Sequence, residues 1–323
     1  MAGIEGGPVT ILIKSSPRTR MIVRPRLHWF RMLLVMRGSV LLGIAPQLLI
    51  TTAFSVLVTA SHGRILTWTM PMTFVPFSLI GLTLAIFLGF RNNTSYARYT
   101  EARALWGTVL IEARTLARQS VTLPVDSTQG SVFVYRVIAF AHALRHQLRG
   151  TEPSADLARL LSTEECERVM AARFRPAVLL LMAGEWLRDM REKRQIDPVL
   201  VPAMEYPMAR LGDALGGCER LASTPIPFTY AVIIHRTIYL YCFLLPFGLL
   251  DSISVMTPVA VAFIAYTFFA LEALSSELEE PFGWAPNALA LDALCWSIET
   301  TLRETLGEKD FSPAPQPVDY VLT

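Results

Sequence analysis

Charged side chains are scarce in this chain. Asp, Glu, Lys and Arg supply 17% of its 323 residues against 52% for apolar ones, more apolar surface than a water-soluble core of ordinary composition buries. The net charge of +2 is too small for this length to point to nucleic acid as a partner. Cys166, Cys218, Cys242 and Cys295 are far apart, with neither a CxxC nor a zinc-like spacing, so buried free thiols are expected. Catalytic signatures are missing as well: no GxSxG, HExxH, P-loop or GxGxxG occurs, which disfavours an enzyme and leaves no cofactor to expect. His142 and His146 have the i, i+4 spacing of a metal pair but no third ligand nearby, so they read as a solvated helix face. Period-two alternation bounded by turns is almost absent, which argues against a sheet and for an all-α class.

What is present is long apolar runs. Met70 to Phe90 holds twenty-one residues without a charge and leads straight into Arg91-Asn92-Asn93. At about 1.5 Å per helical residue such a run covers the roughly 30 Å hydrocarbon core of a bilayer. Three more runs complete a set of four expected spans: Val40 to Val58, Ile226 to Leu250 and Ile253 to Leu271. His235-Arg236 interrupts the third, and Arg236 is expected to reach for an interface. Within the second span Leu82, Ile86 and Phe90 recur every four residues and so share one helix face. That face suits the lining of a pore and equally suits ordinary helix packing.

Charge placement orients the spans. The first 37 residues carry seven basic side chains (Lys14, Arg18, Arg20, Arg24, Arg26, Arg31 and Arg37) against Glu5 alone, and no apolar stretch there is long enough for a cleavable signal. Basic residues return at Arg91, Arg98 and Arg103. The expected organisation is a loose extension over 1–20, an N-terminal segment with two spans over 21–90, and a helical cytoplasmic domain over 91–225. Spans three and four follow over 226–271, and a cytoplasmic helix and tail over 272–323. Both termini are then cytoplasmic in an inner-membrane protein. In the cytoplasmic domain, Tyr96 to Val121 reads as a long amphipathic helix continuing the second span, and Asp197-Pro198 and Gly216-Gly217 bracket another. The proline-rich tail is too short to fold alone and suits lying along a neighbour. A secondary transporter is the main competing class, because Pro71, Pro76 and Gly81 break the second span, but apart from His235-Arg236 the spans lack the ionisable groups of a coupled carrier.

A set of motifs in fixed order carries a family resemblance. They are Met21-Ile22-Val23-Arg24-Pro25 through His28-Trp29-Phe30, Arg37-Gly38-Ser39, Pro76-Phe77-Ser78 through Phe90-Arg91-Asn92-Asn93, and Glu101-Ala102-Arg103 with Leu105-Trp106-Gly107. Gly216-Gly217-Cys218-Glu219-Arg220, Pro225-Ile226-Pro227-Phe228 and Glu279-Glu280-Pro281-Phe282-Gly283 complete it. With these the chain resembles the bestrophin ion channels, particularly the bacterial ones, from residue 21 to about 320. The resemblance implies a homopentamer around one axial pore in the lipid bilayer, passing monovalent ions. It implies a hydrophobic neck at Leu82, Ile86 and Phe90 and a cytoplasmic aperture at Ile196. Animal members conduct chloride and some bacterial ones favour monovalent cations; the aliphatic Leu82 and Ile86 offer an anion no aromatic edge. The acidic run that helps animal members clasp calcium is replaced here by Trp284-Ala285-Pro286-Asn287, so no metal is expected, and Glu279 and Glu280 read as a solvated or interface-pairing face.

Overall fold

The computed structural model describes residues 21–22, 29–30, 39–62, 64–65, 68–69, 74–316 and 321–322. The extension over 1–20 and the start of the second span at 70–73 lie outside them. Among the described residues the main helices are α1 Leu41–Ala60, α2 Phe74–Thr122, α3 Gly130–Arg149, α4 Ser154–Leu160, α5 Thr163–Met170, α6 Arg175–Glu192, α7 Val201–Ser223, α8 Phe228–Ile253, α9 Thr257–Glu279 and α10 Leu291–Thr305. The helical class holds apart from two ladders too short to leave a periodic trace in sequence: β2 (Arg64–Ile65) with β3 (Trp68–Thr69), and β1 (Met21–Ile22) with β4 (Val321–Leu322), both antiparallel. The second ladder joins residues 21–22 to residues 321–322.

The helix α2 organises the molecule. Its 49 residues span about 70 Å without a break, so the expected cytoplasmic helix at Tyr96 is the continuation of the apolar segment. It stops two residues before Pro124, whose ring cannot continue the ladder. Two separate cores form along it. In the upper one, Leu84 and Leu88 of α2 pack with Ile44 of α1, Ile238, Cys242 and Leu245 of α8, and Val261, Ala265 and Phe269 of α9. In the lower one, Trp106, Val109 and Leu116 of α2 pack with Phe133 and Phe140 of α3, Trp186 of α6, Leu211 of α7 and Ile298 of α10.

Close approach in the upper core depends on two glycines. A Cβ on Gly248 would sit 2.3 Å from the Phe77 ring, and one on Gly81 would sit 2.7 Å from the Tyr241 hydroxyl. A third, Gly217, faces Leu105 at 2.7 Å. Gly216-Gly217 therefore does not end a helix as expected: α7 runs through the pair to Ser223, because the glycine serves packing against α2 rather than a turn. Among the described residues three stretches are long and apolar enough to cross a membrane, Leu41–Ala60, Phe74–Thr122 and Phe228–Glu279, and only 22% of each most apolar window is buried within the chain. The third stretch folds back at a turn over 254–256, where Ser254 has φ 44°, so that α8 and α9 pack as a hairpin with Tyr239 against Phe269 and Tyr241 against Phe268.

Polar contacts tie the lower helices together. His142 and His146 are not a solvated face: His142 is buried, with Nε2 2.8 Å from Glu299 and Nδ1 3.5 Å from Asp156, and His146 Nε2 lies 2.9 Å from Asp156. Arg145 donates to Asp156 and Arg159 donates to Glu299, each at 2.5 Å. The partners come from α4 and α10, which the spacing within α3 could not reveal. Burial raises the Glu299 pKa, but hydrogen bonds from His142 and Arg159 outweigh it and hold the carboxyl at about 2. Burial acts on Asp156 in the same sense, and hydrogen bonds from both histidines hold it well below its ordinary value. Beyond α10 the tail folds back on its own subunit, with Trp296 Nε1 donating to Ser312 O at 2.9 Å and Arg303 to Asp310 O at 3.1 Å. All four cysteines are free, and burial pushes the Cys218 and Cys295 thiols up to about 12.

Gly248→Ala drives a methyl into the Phe77 ring and is expected to destabilise the upper core by about 1–3 kcal/mol, read as a lower Tm of the purified protein; an unchanged Tm contradicts the close packing. Glu299, depressed below its ordinary 4.5, contributes stability that is complete above about 4.5 and lost as pH falls toward 2. Melting curves from pH 6 downward are expected to show that loss, and Glu299→Gln to flatten it; an equal slope in the variant refutes the role of this carboxylate.

Candidate functional site

The face bearing Leu82, Ile86 and Phe90 is bare in the folded chain: the three side chains are 61%, 50% and 61% exposed. Of the residues between them, Leu84 and Leu88 point the other way and are buried against α8 and α9, while Phe87 is half exposed. Helical periodicity produces this split, since positions four apart stay on one side while those two on lie across the axis. Polar groups near the stripe are satisfied within the helix: Thr83 Oγ1 donates to Leu79 O at 2.9 Å, Asn92 Nδ2 to Leu88 O at 3.0 Å and Thr94 Oγ1 to Phe90 O at 3.0 Å. The surface left is an aliphatic and aromatic strip about two and a half turns long with no free carboxylate or ammonium among its members.

Directly below the strip the chemistry changes. Arg91 turns away from it and is 4% exposed, with Nη2 donating to Ser276 Oγ at 3.1 Å and to Glu279 Oε2 at 3.4 Å. One turn on, the buried Ser95 and Ser275 hydroxyls meet at 3.0 Å. Arg98 donates to three backbone carbonyls, Glu279 at 3.2 Å, Thr224 at 2.6 Å and Leu221 at 2.7 Å. The inner end of the strip is thereby fastened to the end of α9. Glu279 is not on a solvated face, as its position before Pro281-Phe282-Gly283 suggested; it pairs inward with Arg91. Glu280, Pro281 and Phe282 line a cavity of about 290 Å³ beside Arg98. Among the described residues no group of three or more His, Cys, Asp or Glu is arranged to hold a metal ion. On the adjoining hairpin His235 Nδ1 of α8 hydrogen-bonds Glu272 of α9, which gives the interrupted apolar run an internal polar partner, and Arg236 is exposed.

Ile196 lies at the far end of α2. The turn that carries it is held there by Val125 N donating to Gln195 O at 2.8 Å, Asp126 N to Gln195 Oε1 at 3.1 Å and Gln119 Nε2 to Ala203 O at 2.9 Å. From Phe90 to Gln119 along α2 is roughly 45 Å. The Ile196 side chain is 1% exposed and belongs to the lower core, whereas Val199, three residues on, is 81% exposed. Asp197 fixes that protrusion by accepting from Val199 N at 3.0 Å. Sequence reasoning reached the turn and missed which of its apolar side chains is outward. The pairing of Arg91 with Glu279 was also missed, although an arginine abutting a 21-residue uncharged run is a visible signal that some carboxylate must meet it.

Residues 21–304 match the family model described as Bacterial/Fungal Bestrophin protein. The chain is 48% identical over 291 residues to the voltage-dependent anion channel-forming protein RSc3414 of Ralstonia nicotianae, covering 89% of this chain and 95% of that one. It is 43% identical over 290 residues to the voltage-dependent anion channel-forming protein YneE of Escherichia coli K12, covering 90% and 95%. Among solved structures, a crystal structure of a bacterial bestrophin homologue from Klebsiella pneumoniae superposes with a TM-score of 0.80 at 42% identity, covering 83% of this chain and 100% of that one.

Proposed function

Because the chain belongs to the bacterial and fungal bestrophin family, we propose that it is a homopentameric ion channel that passes monovalent ions passively along one axial pore. The carrying observation is that Leu82, Ile86 and Phe90 are exposed along one face of α2, across the helix from the buried Leu84 and Leu88. In a closed ring of subunits each of these residues becomes one apolar girdle, and stacked girdles form a neck that restricts ions by dewetting. The names of the relatives from Ralstonia and Escherichia coli favour anions.

The chain in this reading crosses the cytoplasmic membrane four times, by α1, the upper part of α2, α8 and α9. Sparse burial of those segments within the subunit leaves their outer faces for lipid and neighbouring subunits. The ladder of β1 with β4 supports an even number of crossings, because it holds residues 21–22 and 321–322, which flank all four spans, on one side. The basic residues of the amino-terminal segment make that side cytoplasmic. The long lower half of α2 carries the path inward to a second constriction. The turn anchored by buried Ile196 presents Val199 there as the rim, so the aperture expected at Ile196 is assigned to its exposed neighbour.

Purified protein in a planar bilayer is expected to give discrete unitary currents, and slow saturable flux without unitary events refutes the channel reading. Ile86→Ala shortens the middle girdle and is expected to raise unitary conductance or open probability by roughly twofold or more. Unchanged currents from a normally assembled variant contradict a restrictive role for Ile86.

A further inference from the structure

The side chain that follows the last neck residue is a buried cation. Arg91 is only 4% exposed, and its Nε and Nη1 groups have no hydrogen-bond partner. Its one ion-pair partner among the described residues is Glu279, itself largely buried, at 3.4 Å. A guanidinium held this way, with donors unfilled, costs stability relative to an apolar side chain in the same place. Packing alone therefore gives no reason for an arginine here, whereas its position along the ion path does.

We propose that Glu279 is a specificity-determining residue of the pore: by neutralising Arg91 just beneath the neck it sets how strongly the channel distinguishes anions from cations. This rests on the pore reading of the strip ending at Phe90. Arg91 projects from the opposite side of the same helix, roughly one helix diameter, about 10 Å, behind the pore wall. A unit charge at that distance acts across protein rather than bulk water, and five symmetry-related copies act on the axis together. With Glu279 ionised beside it, each guanidinium is cancelled at the axis and the aliphatic neck above has no sign of its own. The other polar groups nearby are already engaged: Glu272 with His235 on the hairpin, and Arg98 with three backbone carbonyls. The contact from Arg98 is to the Glu279 carbonyl oxygen, so a change of the Glu279 side chain leaves it in place, and Ser276 still accepts from Arg91.

The test is the reversal potential of single channels in a potassium chloride gradient. Glu279→Gln keeps the shape of the side chain and uncovers Arg91, and is expected to raise the anion-to-cation permeability ratio by roughly three- to tenfold over the unmodified channel. Arg91→Gln uncovers Glu279 and is expected to lower the ratio by a similar factor. The double variant Arg91→Gln/Glu279→Gln is expected to return close to the unmodified ratio. If Glu279→Gln does not assemble, Arg91→Gln carries the decision with the opposite sign. Conducting single variants with an unchanged ratio, or with shifts in the reverse sense, overturn the assignment to Glu279 while the pore reading stands; absence of unitary current in the unmodified protein overturns both.

Discussion

An apolar helix face has to be covered by something other than water, and α2 leaves one uncovered. Its 49 residues form one rigid rod whose upper half is packed on one side by α8 and α9 and bare on the other. Burial of apolar area is worth roughly 25 cal/mol per Å², so three exposed large side chains in a row are a standing demand for a partner. In a closed ring of copies the strips face one narrow axis from which water is readily expelled, and that axis is the proposed ion path. The depth of the lower bundle, the position of the Val199 turn and the placement of Arg91 all follow from where they attach to this rod.

The upper and lower halves are stabilised by different physics. Above Phe90 contact is close and almost entirely apolar, with Gly81 and Gly248 letting aromatic rings approach the backbone. Below it, pairs such as Arg136 with Glu165 and Arg303 with Glu308, and the cluster of His142, Asp156 and Glu299, link α3, α4, α5 and α10. Ion pairs between partly buried groups fix geometry more than they add stability. Such a lower half suits holding a constriction in place, and the apolar upper half suits a membrane.

Much of the fold was legible because it follows from periodicity and composition. The spacing of Leu82, Ile86 and Phe90 marks one face of a helix whatever its surroundings, and all three are bare in the subunit. What was not legible depends on partners distant in sequence. His142 and His146 look solvated on their own helix, and only the packing of α4 and α10 brings Asp156 and Glu299 to them. Gly216-Gly217 reads as a helix stop because glycine favours turns, yet the local backbone stays helical where Leu105 needs the space. Ile196 and Val199 are both apolar in one short turn, and the side that faces the core is set by how Gln195 bonds to the end of α2. Ladders of two residues per strand lack the length to show alternation at all.

The central claim is that the strip on α2 faces the ion path and its opposite face does not. Cysteine substitution with a charged thiosulfonate reagent applied during single-channel recording tests it most directly, with the unmodified channel as the background for its own free cysteines. Ile86→Cys is expected to lose or sharply reduce current on modification, while Leu84→Cys, buried against the neighbouring helices, is expected to remain unaffected. Equal insensitivity at both positions, or modification at Leu84→Cys and not at Ile86→Cys, contradicts the account.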